Sequence, residues 1–297
     1  MITVFGSTNL DLIGTVTRLP QPGETVPGGT FKTAAGGKGA NSALAARRAG
    51  ANVRMFGAVG SDAFADAALA ELKAGGVDLS AMKTVPGPTG IAMILVDEKG
   101  ENVIAVLPGA NGTLEPRDAE DALRGLGAGD VLMLQQEIPQ GATERALDLA
   151  QAQGVTAILN TAPFLDATPQ MARKASIVIA NENEFELLSG GGGPLEERMA
   201  GWARETGRTV IVTLGGDGAR AATPDAFLSV PALRIEPVDT VGAGDTFCGY
   251  LATGLGAGFG LEAAMRRAAV AASLACLKPG AQPSIPMAAE VETAVGA

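Results

Sequence analysis

The sequence predicts an α/β fold in which a mainly parallel central sheet is covered by helices on both faces and a small separate β-sheet serves as a lid. Three observations carry the prediction. From Val131 to Leu214, short apolar runs of strand length alternate with longer amphipathic runs of helix length, the pattern of right-handed βαβ units. Polar residues recur where those strands end: Gln135, Gln136 and Glu137, then Asn160 and Thr161, then Asn181 and Glu184, then Thr213 with the glycines after it. In such a sheet the carboxyl ends of the strands share one crevice. The N-terminal third departs from the alternation, with turn-broken β segments that fit a second, smaller sheet.

A chain of 297 residues has room for one α/β domain with an insertion. With 46% hydrophobic residues but only 4% aromatics, its core must be built from Ala, Val, Leu and Ile. The formal net charge of −10 argues against nucleic acid or an anionic membrane as the main partner, so an anionic substrate must meet local dipoles and a few cations. There is no histidine. Imidazole triads, imidazole acid/base chemistry and His metal sites are therefore excluded, leaving Asp, Glu, Lys, Tyr or Cys to move protons. Two cysteines, Cys248 and Cys276, are too few for a zinc cluster or a disulfide framework and read as inert thiols in buried helices. The start, MITVFGSTNLD, has no basic, apolar leader, and no apolar run reaches membrane-spanning length, so a cytoplasmic protein is expected.

In chain order, Ile2 to Gly6 is a short apolar run ending in glycine, which fits a buried first strand. It delivers Ser7, Thr8, Asn9 and Asp11 to its carboxyl end. Asn9 and Asp11 face the same way in extended chain and suit sugar hydroxyls, although such a pair by itself fits a polar turn after a strand better. Leu12 to Thr33 is a small β excursion broken by Pro20, Pro22, Gly23 and Gly28-Gly29. Ala35 to Asn41, AGGKGAN, runs into an alanine-rich helix from Ser42 to Ala49, with Lys38 as a cation and Asn41 in the first turn. It is no Walker loop, because Lys38 precedes Gly39 rather than Ser or Thr. Val53 to Val59 fits a second strand and Asp62 to Ala74 a helix stopped by Gly75-Gly76. Thr89 to Val96 and Asn102 to Leu107 fit a hairpin, which joins the earlier excursion in the lid. Its apolar face, with Ile91, Met93, Ile104 and Val106, calls for a partner, and a second lid is the simplest.

Beyond Ala119 to Leu126, strands are expected at 131–134, 155–159, 176–180 and 209–214. Helices are expected at 141–153, 168–174, 182–189 and 195–206. Asn181 at a helix start is a natural cap; with Glu184 it also has the make-up of a site that holds Mg²⁺ through waters. Thr213 to Gly218, TLGGDG, is a glycine turn on whose N–H groups a nucleotide phosphate can rest.

The stretch from Val238 to Phe247, VDTVGAGDTF, brings these together. Gly242 and Gly244 flank Ala243 and let the backbone approach a ligand, and Asp245 opens a helix over Thr246 to Leu255. A helix N-terminus offers unpaired N–H groups and a positive dipole end to an anion such as a transferring phosphoryl group. A carboxylate fixed there either caps the helix or takes a proton from an attacking hydroxyl.

Taken in order, AGGKGAN, NENE, TLGGDG, VDTVGAGDTF and GAQPS resemble the ribokinase branch of the phosphofructokinase-B-type carbohydrate kinases over essentially the whole chain. The resemblance implies one ribokinase-like three-layer sandwich over 1–297, with the lid inserted at 12–33 and 89–108. It implies Asp245 as general base for the primary hydroxyl of a sugar, with an anion hole from the N–H groups of Gly242, Ala243 and Gly244. Asn9, Asp11, Gly37, Lys38, Asn41 and Glu137 stand at the sugar-binding positions. Asn181 and Glu184 match the motif for Mg²⁺ and phosphate, Glu184 acting through water, and Thr213, Leu214, Gly215, Gly216, Asp217 and Gly218 match the ATP loop, with Gly244 also facing the nucleotide. A monovalent cation site, for K⁺, is implied at Asp239, Val241, Ala275, Lys278, Gly280 and Ser284. The family's lid closes over the sugar and pairs in a homodimer, in agreement with the apolar hairpin face. Two positions depart from the pattern: Ala269 stands where Asn or His usually lies beside the adenine, and Pro279 precedes Gly280 in place of a basic residue.

The pairing of Asn9 and Asp11 with AGGKGAN and Glu137 resembles the ribose pattern, so transfer from ATP to the 5-hydroxyl of D-ribose, giving ribose 5-phosphate and ADP, is the expected reaction. Fructose, deoxyribose or a nucleoside are the alternatives within the class. A non-catalytic sugar or nucleotide sensor is disfavoured because Asp245, its glycines and Glu184 are all present. A dinucleotide oxidoreductase is weaker, since GSTNLD after the first strand is not G-x-G-x-x-G.

Overall fold

The structure is a computed structural model that describes residues 1–296, and the elements below are those of the described residues. The chain opens with β1 (Ile2–Phe5), β2 (Asn9–Val16) and β3 (Gly28–Gly36), followed by α1 (Lys38–Arg48), β4 (Val53–Phe56), β5 (Ala58–Gly60), α2 (Phe64–Gly75) and β6 (Lys83–Val85). The hairpin β7 (Gly90–Val96) and β8 (Asn102–Leu107) leads through a 3₁₀ turn (Gly109–Thr113) to α3 (Pro116–Ala122). Regular alternation then gives β9 (Val131–Leu134), α4 (Gln140–Gln153), β10 (Thr156–Asn160), α5 (Thr168–Ala172), β11 (Ile177–Asn181), α6 (Glu182–Ser189), α7 (Leu195–Thr206) and β12 (Thr209–Thr213). Two short strands, β13 (Ala219–Ala222) and β14 (Phe227–Val230), precede α8 (Ala243–Gly256), α9 (Leu261–Ala275), α10 (Ala281–Ser284) and α11 (Ala288–Gly296).

The central sheet has eight strands in the order β14-β13-β12-β11-β10-β9-β1-β4, parallel from β12 to β4 and antiparallel at β13 and β14. Side chains alternate between its faces, as the pleat requires: Val131 and Met133 enter one core, with α1, α8 and α9, while Leu132 and Leu134 enter the other, with α3 to α7. Burial on both faces is why these strands read as continuous apolar runs. The chain leaves β1 for β4 on one side and returns to β9 on the other, so the strand order reverses between β1 and β9. Ligands bind beyond the carboxyl ends of the strands at such a reversal.

A second sheet, β3-β2-β7-β8, stands apart from the first. Its strand β2 begins at Asn9 and β3 runs to Gly36, beyond the expected 12–33 excursion at both ends, so Asn9 and Asp11 belong to a strand rather than a polar turn. Met93, Ile104 and Val106 are exposed, but the expected single face is two: Met93 stands opposite Ala105 and shares its face with the half-buried Ile91, whereas Ile104 and Val106 stand opposite Ile94 and Ala92 on the face of Asp11. The expected single strand Val53 to Val59 is two. At Gly57 the chain passes so close to β1 that a Cβ would stand 2.6 Å from the Gly6 carbonyl oxygen, and β5 leaves the central sheet to pair with β6. Alanine-rich β13, ARAA, gave no strand signal; hydrogen bonding to β12 and β14 holds it extended.

Candidate active site

Gly37 caps α1 with φ 92°, where an added Cβ would lie 2.8 Å from the Asn9 backbone nitrogen, and a Cβ on Gly39 would lie 2.6 Å from that of Ser7. Two of the glycines in AGGKGAN thus let the helix start sit directly against the chain leaving β1. The Lys38 N–H donates to Glu137 Oε2 at 3.0 Å, the same oxygen accepts from Ser7 Oγ at 2.6 Å, and the Ala40 N–H donates to the Ser7 carbonyl at 2.9 Å. Glu137 thereby joins the ends of β1 and β9 across the strand reversal. On the lid side, Gly36 leaves room for the carboxylate of Asp11, which occupies the place a Cβ would take.

A residue that sequence reasoning passed over completes this wall. Asn111, in the 3₁₀ turn after β8, donates from Nδ2 to Asn9 Oδ1 at 2.8 Å and to the Thr8 carbonyl at 3.1 Å, and accepts from the Thr8 N–H at 3.0 Å. It is buried and fixes the direction of the Asn9 amide. Its only signal in the sequence was its place in PGANG, directly after the hairpin.

Asp245 lies in the first turn of α8, two residues after the helix begins at Ala243, rather than opening it. Its carboxylate is 5% exposed and accepts from Asn41 Nδ2 at 2.9 Å, while Asn41 Oδ1 accepts from Gln282 Nε2 at 3.1 Å. Burial pushes the Asp245 carboxyl up, with Glu137 adding to the effect, while Lys38 and the Asn41 hydrogen bond hold it down. Lys38 is pushed up chiefly by Asp245. Asp11 is pushed up to about 6, first by burial and then by Glu137 and Asp245. The site therefore gathers the carboxylates of Asp11, Glu137 and Asp245, with Lys38 in electrostatic contact with the last two.

On the other side of Asp245 a cavity of about 430 Å³ opens over the first turn of α8. Thr213, Gly215, Gly216 and Gly218 form one wall, Ala243 and Gly244 the floor, and Ala269 and Ala272 of α9 the far side. Of the expected ATP loop, Leu214 and Asp217 stay out of the wall, and Leu214 packs against the core. Gly218, with φ 90°, leaves no space for a Cβ, which would fall 2.7 Å from the Ala232 nitrogen; Gly244 has open space above it. The N–H groups of Gly242 and Gly244 make no hydrogen bond among the described residues, whereas that of Ala243 donates to the Thr240 carbonyl at a long 3.3 Å. A larger hollow, about 570 Å³, lies between the lid strands and the loop from Pro20 to Val26 and takes in none of these residues.

Asn181 and Glu184 form a capping box on α6: Asn181 Oδ1 accepts from the Glu184 N–H at 2.8 Å and Glu184 Oε2 from the Asn181 N–H at 3.1 Å. Thr161 Oγ1 also donates to Glu184 Oε2, at 2.8 Å, and Oε1 accepts no hydrogen bond among the described residues. Asp239 ties its loop together, accepting from the Val241 N–H at 3.0 Å and the Gly280 N–H at 2.8 Å. The C-terminal end of α9 joins the same knot, since the Cys276 carbonyl accepts from the N–H groups of Val238 and Asp239 and the Ala275 carbonyl from Lys278. Ser284 Oγ donates to the Ala281 carbonyl at 2.8 Å. The expected cation residues thus come from three segments bound to one another.

The family model described as pfkB family carbohydrate kinase matches residues 1–288. A ribokinase of Bacillus subtilis is 38% identical over 295 residues, covering 98% of each chain, and a deoxyribokinase of Salmonella typhi is 35% identical over 291 residues, covering 96% of this chain and 95% of its own. Among solved structures, ribokinase from Thermotoga maritima superposes with a TM-score of 0.91 at 31% identity, covering 100% of this chain and 99% of that one. Arabidopsis thaliana ribokinase complexed with ribose and ATP gives 0.89 at 31% identity, covering 99% and 98%. This chain belongs to the pfkB family of carbohydrate kinases.

Proposed function

We propose that this protein transfers the γ-phosphoryl group of ATP to the 5-hydroxyl of D-ribose, giving ribose 5-phosphate and ADP, with Asp245 as general base. One observation carries the reading: the buried Asp245 carboxylate, in a polar cluster of sugar-binding character with Asp11, Lys38, Asn41 and Glu137, directly follows Gly244, which lines the cavity. Asp245 takes the proton of the hydroxyl as its oxygen attacks phosphorus, and Asn41 and Lys38 favour the ionised carboxylate against the effect of burial. Charge on the transferring group meets the free N–H groups of Gly242 and Gly244 and the positive end of α8. Phosphoryl transfer asks mainly for position and charge stabilisation, which suits a site without histidine.

The donor sets fit the ions the resemblance implies. Glu184 has one oxygen without a hydrogen bond and stands in the first turn of α6, at the carboxyl end of β11, where it can hold a hydrated Mg²⁺. Mg²⁺, when bound, neutralises charge on the phosphate oxygens. Asp239 and Ser284, with the carbonyls of Val241, Ala275, Lys278 and Gly280, form an all-oxygen set suited to K⁺, beside the loop that ends in Gly242. Phe31, Met93 and Val103 lie exposed on one face of the lid sheet, which supports a homodimer formed through the lid.

ADP release measured with Mg²⁺ and K⁺ across D-ribose, 2-deoxyribose, fructose and several nucleosides tests the reading. Ribose should give the highest kcat/KM, falling when a large organic cation replaces K⁺. Preference for deoxyribose, the substrate that the Salmonella relative's name suggests, would keep the mechanism and change the acceptor.

A further inference from the structure

Among the described residues, Asn41 is the only side chain hydrogen-bonded to the Asp245 carboxylate. Its help depends on which way its amide points, because the nitrogen donates to a carboxylate and the oxygen repels it. An asparagine amide is nearly symmetric in shape, so packing alone does not choose between the two. A hydrogen-bonding neighbour must. Gln282 is that neighbour: its Nε2 donates to Asn41 Oδ1 at 3.1 Å, and its side chain is fully buried. The carboxylate accepts only, so just one direction of the two amides leaves no acceptor facing another, Gln282 to Asn41 to Asp245.

Gln282 also stands on an element that is held in place from two directions. Arg48 of α1 donates from Nη1 to the carbonyls of Gln282 and Ile285 at 2.7 and 2.8 Å. Gly280, just before α10, donates to Asp239, and Ala281 lies so close to the loop that a Cβ on Gly242 would be 2.9 Å from its Cα. The GAQPS motif, assigned above only through its glycine and serine, thus carries a glutamine aimed at the catalytic machinery.

We propose that Gln282 is a positioning residue for phosphoryl transfer: by donating to Asn41 it locks the amide that hydrogen-bonds the Asp245 carboxylate, and so favours the ionised base and holds it aligned. The proposal rests on the reading of Asp245 as the base. The charged and titratable groups facing Asp245, namely Lys38 of α1, Glu137 after β9, Asp11 of β2 and Cys248 of α8, are untouched by a change at Gln282.

The test compares wild type with Gln282→Met, which keeps the length and removes the donor, and Gln282→Glu, whose carboxylate draws the Asn41 nitrogen away from Asp245. Gln282→Met should lower kcat by about tenfold, the scale of one charge-assisted hydrogen bond, with the KM for sugar changed by less than about threefold. The acid limb of the pH profile should move to higher pH, because the ionised carboxylate has lost a donor, and Gln282→Glu should move it further. In an Asn41→Ala background, Gln282→Met should have almost no further effect. Wild-type kcat and acid limb in a folded Gln282→Met enzyme would overturn the proposal, as would a loss that persists in full without Asn41. Failure of both variants to fold, seen by thermal melting, would assign Gln282 to packing and equally overturn it. Carboxyl ¹³C NMR titration of Asp245, identified by its loss in Asp245→Asn, reads the same shift without turnover. A shift in a protein that phosphorylates no sugar would sink the functional reading and retain the positioning role.

Discussion

At the scale of single residues, the site gathers negative charge that it cannot fully solvate, and its pH behaviour follows. Asp245→Asn should lower turnover by roughly 2 to 4 powers of ten, the scale of a lost general base, while sugar binding measured by calorimetry survives. A variant that keeps most of its turnover would refute the role. Asp11 binds its proton more tightly in the fold, at about 6, than in the unfolded chain, at 3.8, so its contribution to stability is fully present below 3.8 and is lost as pH rises through about 6. Asp11→Asn should therefore stabilise the unliganded protein above that pH by ~1–3 kcal/mol and gain nothing below pH 3.8, as urea midpoints at the two extremes would show. The same variant should bind sugar less tightly. Asn9 and Asp11 were legible as a pair facing one way because strand geometry fixes the alternation. Asn111 was not, because a lone asparagine before a glycine has no pattern, and its partners lie about a hundred residues away in the chain.

At the scale of elements, the two glycines of the loop before α8 do different work, and substitution separates them. Gly242 holds φ 77° with Ala281 against it, so Gly242→Ala should cost ~1–3 kcal/mol of stability and displace α10. Gly244 lies within the helix, and the place an alanine Cβ would take has nothing within 4 Å of it, so Gly244→Ala should melt within ~1 kcal/mol of wild type. Its methyl would nevertheless stand in the cavity, and turnover should fall by about 10²-fold, as when an anion-hole donor is lost. Parallel melting curves and kcat values decide both. Most elements were legible to within two residues, because apolar periodicity and glycine stops are local signals; α6 and α7 came out at their expected bounds. The split at Gly57 and the strand β13 were hidden, because one depends on the approach of β1 and the other on its neighbours' hydrogen bonds.

At the scale of the whole molecule, an ATP-dependent carbohydrate kinase places its acceptor cluster between a central sheet and a lid, and the lid presents apolar side chains to solvent. Phe31 is 70% exposed, Met93 53% and Val103 55%, all on one face of the lid sheet, a surface that a monomer does not readily leave bare. Combined Met93→Asp and Val103→Asp should turn a dimer into a monomer in sedimentation equilibrium and raise the KM for sugar; a wild type that is monomeric at all concentrations would refute lid pairing. The sequence by itself determined the parallel α/β architecture, the absence of imidazole chemistry, the glycine loops and the carboxylate after them, since each is written in local pattern or composition. Tertiary structure alone decided that Glu137 bridges β1 and β9, that Asn111 holds Asn9, and that Gln282 reaches Asn41 across 241 residues. These contacts join segments remote in the chain, and their geometry exists only once the sheet has set the strand ends side by side.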